Sequence, residues 1–147
     1  MDGQAIAAIG LALCAGLCGA GSAIGLYHTG SAAAGVLAED SKKFSKLLIL
    51  VVLPATQGIY GFVLAILGMG SIGPELTYAA GLKIFGAALP LAITGLISGI
   101  FQGKTAVGGI YAIAKNESLS GKLILFPAMV ETYAILGLVI SILLMGA

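Results

Sequence analysis

Apolar positions along the chain fall into four long runs separated by polar interruptions. The first covers residues 4–38 and is built from Ala, Gly and Ser, with few large side chains. A polar stretch follows, Glu39-Asp40-Ser41-Lys42-Lys43-Phe44-Ser45-Lys46, and then a run rich in large aliphatics, Leu47 to Met69, which contains Pro54. Gly70-Ser71-Ile72-Gly73-Pro74-Glu75 reads as a turn. Residues 76–114 repeat the small-residue pattern, with glycines at 95, 99 and 103 spaced by four. Lys115-Asn116-Glu117-Ser118-Leu119-Ser120-Gly121-Lys122 is a second polar loop, and 123–146 is the last apolar run. A helix needs about 20 apolar residues to cross a bilayer, so each run is long enough. The first exceeds the hydrocarbon thickness and is expected to project beyond it. The pattern predicts four membrane helices arranged as two hairpins.

The two hairpins read as copies. Leu48-Ile49-Leu50, Pro54-Ala55 and Tyr60 match Leu123-Ile124-Leu125, Pro127-Ala128 and Tyr133 in kind, and both Pro-to-Tyr intervals are six. Upstream, the stretch from Gly25 to Gly35 matches that from Gly99 to Gly109. The offsets of 73 and 74 are reconciled by one residue lost from the second polar loop. A two-span repeat keeps its orientation, so the duplication is parallel and not inverted. Residues 1–72 are then the first hairpin repeat, without an intramembrane carboxylate, and 73–147 the second, which carries Glu131. On this register Glu131 falls opposite Gly58, and His28 is the counterpart of Gln102.

Composition changes the picture in one direction. Apolar residues make up 59% and charged ones 9%, far from the roughly 45–50% and 25% of soluble domains. The chain is an integral membrane protein. With a net charge of +1 and no arginine, no basic surface suggests nucleic acid. The opening Met1-Asp2-Gly3-Gln4 lacks the basic region of a cleaved signal peptide. Lysines 42, 43, 46, 115 and 122 lie in the polar loops and Lys104 lies toward the second, against Lys83 alone on the other side. The positive-inside rule therefore places both loops in the cytoplasm and both termini outside.

Glu131 is the feature that demands an explanation. Between Leu123 and Met145 it is the only ionisable side chain besides Tyr133. An uncompensated charge at that depth costs roughly 3 kcal/mol on insertion scales. The other polar side chains at middle depth are Thr56, Gln57 and Gln102. Because Gly58 marks the level of Glu131, Thr56 and Gln57 are expected within a turn of it. Together these residues offer a carboxylate, a hydroxyl and two amide oxygens, a set suited to a small hard cation. One fixed negative charge favours a monovalent ion. Pro54 lacks an N–H and disturbs its helix, so a nearby carbonyl can turn toward a ligand. Small-residue helices suit crowded helix contact and aliphatic ones suit lipid. The hairpins are therefore expected to stand side by side, small-residue helices inside, in a closed symmetric ring.

The duplication, the stretch Leu53-Pro54-Ala55-Thr56-Gln57-Gly58-Ile59-Tyr60-Gly61, the stretch Gly99-Ile100-Phe101-Gln102-Gly103-Lys104 and the run from Ala128 to Gly137 resemble the proteolipid K subunits of bacterial V-type ATPases, in their sodium-translocating form. The resemblance covers nearly the whole chain. It implies a rotor ring of identical copies in the cell membrane, turning against a membrane stator subunit. It also implies a central-stalk subunit that meets the cytoplasmic loops and an ATPase head that does the ATP chemistry. For the site it implies Na+ held by the Leu53 carbonyl, Thr56, Gln57, Gln102 and Glu131, with the Tyr60 hydroxyl closing over the carboxylate. Ala55 stands where glycine is common in that family.

Other readings compete with these. The same rotor could carry protons, with Glu131 protonated. A small proton-coupled multidrug exporter also has four spans and an intramembrane glutamate, but this chain has no Trp and keeps its acid in the last helix. A structural pore proteolipid would leave the polar set without purpose. Gln102 or Thr56 alone would be ordinary interhelical hydrogen-bonding groups, Tyr60 and Tyr133 mere packing, and Glu131 a structural acid. His28 reads as solvated or bonded to its helix, and Lys83 as lying near an interface or the ring lumen. Cys14 and Cys18, four apart on a helix, are poorly placed for a disulfide and read as packing residues. Gly103-Lys104-Thr105 looks like the end of a phosphate-binding loop, but Ser98 replaces the first glycine and no strand precedes it. Asn116-Glu117-Ser118 is a glycosylation sequon in a loop placed on the cytoplasmic side. No side-chain set suggests catalysis or an organic cofactor.

Overall fold

The computed structural model describes residues 2–146. Helix α1 runs Gly3–Glu39, and its first turn is closed by Asp2, whose carboxylate accepts from the Ala5 N–H at 2.7 Å. After a short 3-10 turn at Ser41–Lys43, the second span comes in two pieces, α2 (Phe44–Val52) and α3 (Thr56–Met69). They are joined by a 3-10 turn at Leu53–Ala55. Pro54 has no N–H to give and so interrupts the α-helical ladder there. Helix α4 spans Tyr78–Lys115 and stays helical through Pro90, where the Leu91 N–H donates to the hydroxyl of Ser141 at 3.2 Å. The last span is α5 (Ser120–Leu123) and α6 (Leu125–Gly146). All four spans are long and apolar enough to cross a membrane. The chain is a multi-pass membrane protein.

The polar loops are shorter than their composition suggests. Asp40 caps the first 3-10 turn by accepting from Lys42 N–H, and Asn116 caps the second by accepting from Ser118 N–H, both in the same extended backbone conformation. Lys46 and Lys122, expected in loops, are already helical. The two capped turns are equal in length, so position 40 corresponds to position 116, a displacement of 76, and nothing has been lost between the repeats. Packing gives the same register. A Cβ on Gly61 would strike Cys18, and a Cβ on Gly137 would strike Thr94, the images of both under that displacement. The structure thus replaces the expected offsets of 73 and 74. Glu131 is the image of Ala55, not Gly58, and His28 is the image of Lys104, not of Gln102. The reason is physical: Pro54 and Pro127 look alike in sequence but break their spans at different levels, at Leu53–Ala55 and near Ile124.

Helices α1 and α4 lie parallel and form the main internal contact. Glycines allow it: a Cβ on Gly21 would stand 2.6 Å from the Leu96 carbonyl oxygen, and one on Gly99 would stand 2.7 Å from the carbonyl carbon of Gly21. Helix α3 lies over the groove between them and beside α6. The outer spans keep Ile59, Phe62, Ile66, Leu136, Val139 and Leu143 exposed, as a lipid-facing surface requires. Lys43 Nζ donates to the Ala114 carbonyl at 2.7 Å at one end, and Gln4 donates to the Gly73 carbonyl at 2.8 Å at the other. The apolar core is split in two. One cluster gathers Leu11, Cys14, Cys18, Leu64, Leu91 and neighbours; the other gathers Val36, Leu47, Leu50, Ile110, Ile113 and neighbours. Between them in sequence and depth lie the buried polar side chains Ser22, Thr29, Gln57, Ser98 and Gln102.

Candidate functional site

The Pro54 break is where the polar layer begins. An interrupted helix leaves backbone groups that water cannot reach in a membrane, and they need partners. Helix α1 supplies two. Ser22 Oγ accepts from the Gly58 N–H at 2.8 Å, and Thr29 Oγ1 donates to the Val51 carbonyl at 2.8 Å. These hydroxyls hold both sides of the break. Sequence reasoning missed them, although two hydroxyls in a run of Gly and Ala were a visible signal.

Held this way, the turn presents Leu53, Thr56 and Gln57 on one side. Thr56 Oγ1 lies 3.2 Å from the Leu53 carbonyl and 3.4 Å from Gln57 Oε1. Gln57 Nε2 then donates to Gln102 Oε1 on α4 at 2.6 Å, and both glutamines are fully buried. Gln102 Nε2 donates in turn to Glu131 Oε2 on α6 at 3.1 Å. The other carboxylate oxygen accepts from the Tyr60 hydroxyl at 2.6 Å. All six residues singled out in the sequence stand in one hydrogen-bonded chain that crosses three spans. The Leu53 carbonyl is linked to Glu131 through this chain, and it already accepts the Thr56 N–H. A carbonyl has a second lone pair to offer.

The expectation that Thr56 and Gln57 share the level of Glu131 holds under the corrected register. Ala55, the image of Glu131, precedes them directly, and a shift of three residues is less than one helical turn. Tyr60 stands a further turn along α3 and spans the gap with its ring.

The site is built around a single carboxyl group. Tyr60 and Gln102 both donate to Glu131, and hydrogen bonds of that kind hold the anion in place. The other acidic residues, Asp2, Glu39, Asp40, Glu75 and Glu117, lie at helix ends or in loops. A lone anion in hydrocarbon calls for a counter-cation. Besides the Tyr60 hydroxyl, the oxygens within the chain are those of one carboxylate, two amides, one hydroxyl and one backbone carbonyl. Such hard, mostly neutral donors match a small cation of single charge.

Elsewhere the structure is plain. Cys14 and Cys18 are free and buried, and Cys18 Sγ lies 3.4 Å from the Leu91 carbonyl oxygen. His28 stacks tilted against Tyr27, while Lys83 is exposed on α4. Lys104 sits 5.3 Å from the Phe101 ring centroid.

Comparison with known proteins gives a family match and three relatives. The family model for the ATP synthase C subunit matches residues 9–68 and again residues 85–144, two segments set apart by the same displacement as the capped turns. V-type sodium ATPase subunit K of Enterococcus hirae is 49% identical over 142 residues, covering 97% of this chain and 91% of that protein. A-type ATP synthase subunit K of Methanocaldococcus jannaschii is 40% identical over 148 residues, covering 99% of this chain and 64% of that protein. The 16 kDa proteolipid of the human V-type proton ATPase is 26% identical over 124 residues, covering 84% of this chain and 80% of that protein.

Proposed function

The chain belongs to the ATP synthase C subunit family, and from that premise we propose that it is a rotor-ring subunit that carries Na+ across the membrane at Glu131. The exporter and structural-pore readings fall away with the family. Copies assemble into a ring in the bilayer, and ATP is handled by other subunits. A membrane stator subunit meets the ring at its outer face. A central-stalk subunit meets it at the capped turns around residues 40–43 and 116–119, which lie on the cytoplasmic side with both termini outside.

The observation that carries the reading is the chain of side chains converging on a single intramembrane carboxylate. The Leu53 carbonyl, Thr56 Oγ1, Gln57 Oε1, Gln102 Oε1 and Glu131 supply the oxygens for the ion. Entry of Na+ requires Gln102 to turn its amide oxygen from the Gln57 amide N–H, and Gln57 its own from the Thr56 hydroxyl, toward the ion, and the Tyr60 hydroxyl keeps hold of Glu131 meanwhile. With the ion bound, the site is neutral overall and passes the lipid face of the ring at little cost. At the stator, a competing charge opens the site and the ion leaves. One site serves two hairpins. Support for Na+ over H+ comes from the amide and hydroxyl groups, which a proton carrier does not need, and from the sodium-ATPase relative.

A hydrophobic carbodiimide reacts with protonated carboxyls and distinguishes the two ions. Labelling is expected at Glu131, lost in Glu131→Gln, and suppressed by Na+ at fixed pH. Labelling that Na+ leaves unchanged would return the rotor to protons.

A further inference from the structure

The outer spans are tied to the inner ones in two different ways. In the first hairpin the bonds to α1 stand on both sides of the Pro54 break, Ser22 with the Gly58 N–H and Thr29 with the Val51 carbonyl. They flank Thr56 and Gln57, so that side of the site is fixed. In the second hairpin, the span that carries Glu131 is the least buried of the four. Among the described residues, α6 is hydrogen-bonded to other spans at Glu131 and at Ser141 and nowhere else. We infer that Ser141 is a positioning residue for ion exchange, a pin that keeps α6 in register on α4 while Glu131 releases and rebinds its ion. This rests on the reading of Glu131 as the carrier given above.

The pin comes from a second proline. Pro90 has no N–H for the carbonyl four residues back, and its ring crowds that carbonyl, so the ladder of α4 is weakest there. The next N–H, that of Leu91, donates to Ser141 Oγ at 3.2 Å, and Ser141 is fully buried. In hydrocarbon a backbone donor that loses its partner finds no water to replace it. On α6 the buried residues Pro127, Ala134, Gly137 and Ser141 form one stripe, and Glu131 lies in that stripe between Pro127 and Ala134. Ser141 stands ten residues beyond Glu131, about 15 Å along the helix. Between them Ala134 and Gly137 let the backbones approach but have no side-chain polar atom to bond. A turn or slide of α6 that carried Glu131 away from Gln102 and Tyr60 would have to break the Ser141 bond. Glu131 can therefore let go with its side chain while its helix stays in place.

The duplication supplies a control within the molecule. Set back by 76, Pro90, Leu91 and Ser141 become Cys14, Ala15 and Ala65, so neither the proline nor the hydroxyl is there. The half without the carboxylate also lacks the pin. Were the pair merely what an outer span needs to rest on an inner one, α3 would need it too. Instead α3 packs closely on α1 without it, with Gly61 against Cys18 and Gly68 against Leu11.

Carbodiimide labelling of Glu131 in native membranes tests this. Ser141→Ala should speed labelling in the absence of Na+, because Gln102 and Tyr60 then hold the carboxyl for less of the time. It should also raise the Na+ concentration for half-protection by roughly threefold to tenfold. Ser141→Thr keeps the hydroxyl and should restore both quantities. Pro90→Ala, which returns a regular ladder to α4, should reproduce both changes. The Pro90→Ala/Ser141→Ala double variant should then show no more than the larger single effect, because each change removes the same bond. Variants that lose thermal stability but keep the labelling rate and half-protection of the unaltered chain would overturn the pin and leave Ser141 a packing residue. Additive effects in the double variant would overturn it as well. If Na+ fails to protect the unaltered chain, the sodium reading falls, and the labelling rate without Na+ still decides the pin.

Discussion

Two serines related by the duplication show how backbone chemistry decides what a polar residue is for. Ser22 accepts the Gly58 N–H beside the Pro54 break. Ser98, its image in the second repeat, faces the unbroken stretch of α6, and its hydroxyl is the buried side-chain polar atom without a partner among the described residues. Interhelical hydrogen bonds in membranes average about 0.6 kcal/mol, but stranding a buried donor costs roughly 1–3 kcal/mol. Ser22→Ala should therefore destabilise the detergent-solubilised protein by about 1–3 kcal/mol, while Ser98→Ala should be neutral or slightly stabilising. Equal shifts in thermal unfolding for the two variants would remove the distinction. Gln102→Leu acts differently, because it deletes a donor to the Glu131 carboxylate and, in the proposed function, an oxygen for the ion. Loss of such a bond is worth about 1.5–3 kcal/mol, or roughly a tenfold to hundredfold fall in Na+ affinity. Sodium protection of Glu131 against the carbodiimide gives that affinity directly.

At the scale of elements, the four spans were legible because long apolar runs can do little else in a chain this poor in charge. The choice of inner and outer helices was legible too, since glycines at 21, 25, 95 and 99 only make sense where backbones touch. The repeat register was not. Matching Pro54 to Pro127 assumed that prolines mark the same level in both halves, whereas Asp40 and Asn116, capping equal turns, carried the true displacement. The grouping of the six residues survived this error because it was read through depth, and depth changes slowly along a helix. Ser22, Thr29 and Ser141 escaped notice since their partners are backbone groups, which a sequence does not display. Pro54 itself tests the account. Pro54→Ala restores an N–H and lets the second span continue as an α-helix, withdrawing Gly58 from Ser22 and Val51 from Thr29. Folding and membrane insertion should persist while Na+ protection weakens at least tenfold, about 1.4 kcal/mol or more. Unchanged protection would mean that the 3-10 turn is incidental to the site.

For the whole molecule, the question is why two hairpins carry one ion. The duplication supplies a second location by symmetry, centred on Ala55, the image of Glu131. Nearly every partner has gone from it. The image of Gln102 is Leu26, that of Gln57 is Tyr133 and that of Tyr60 is Leu136; only Thr56 keeps its type, as Thr132. Restoring the carboxylate alone with Ala55→Glu should not restore a site, because no donors await the anion and no amide oxygens await a cation. It would place an uncompensated acid in the spans, at roughly 3 kcal/mol on insertion scales. Expression and ring yield should fall, and bound Na+ per chain should stay at one or drop, since residue 55 directly precedes the Thr56 and Gln57 of the proposed site. Two Na+ per chain in Ala55→Glu would show that the carboxylate alone makes a site, and that the chain of Thr56, Gln57, Gln102 and Tyr60 is scaffolding. One Na+ or fewer would tie the halved ion count per hairpin to the loss of the whole set, and with it the number of ions moved per turn of the ring.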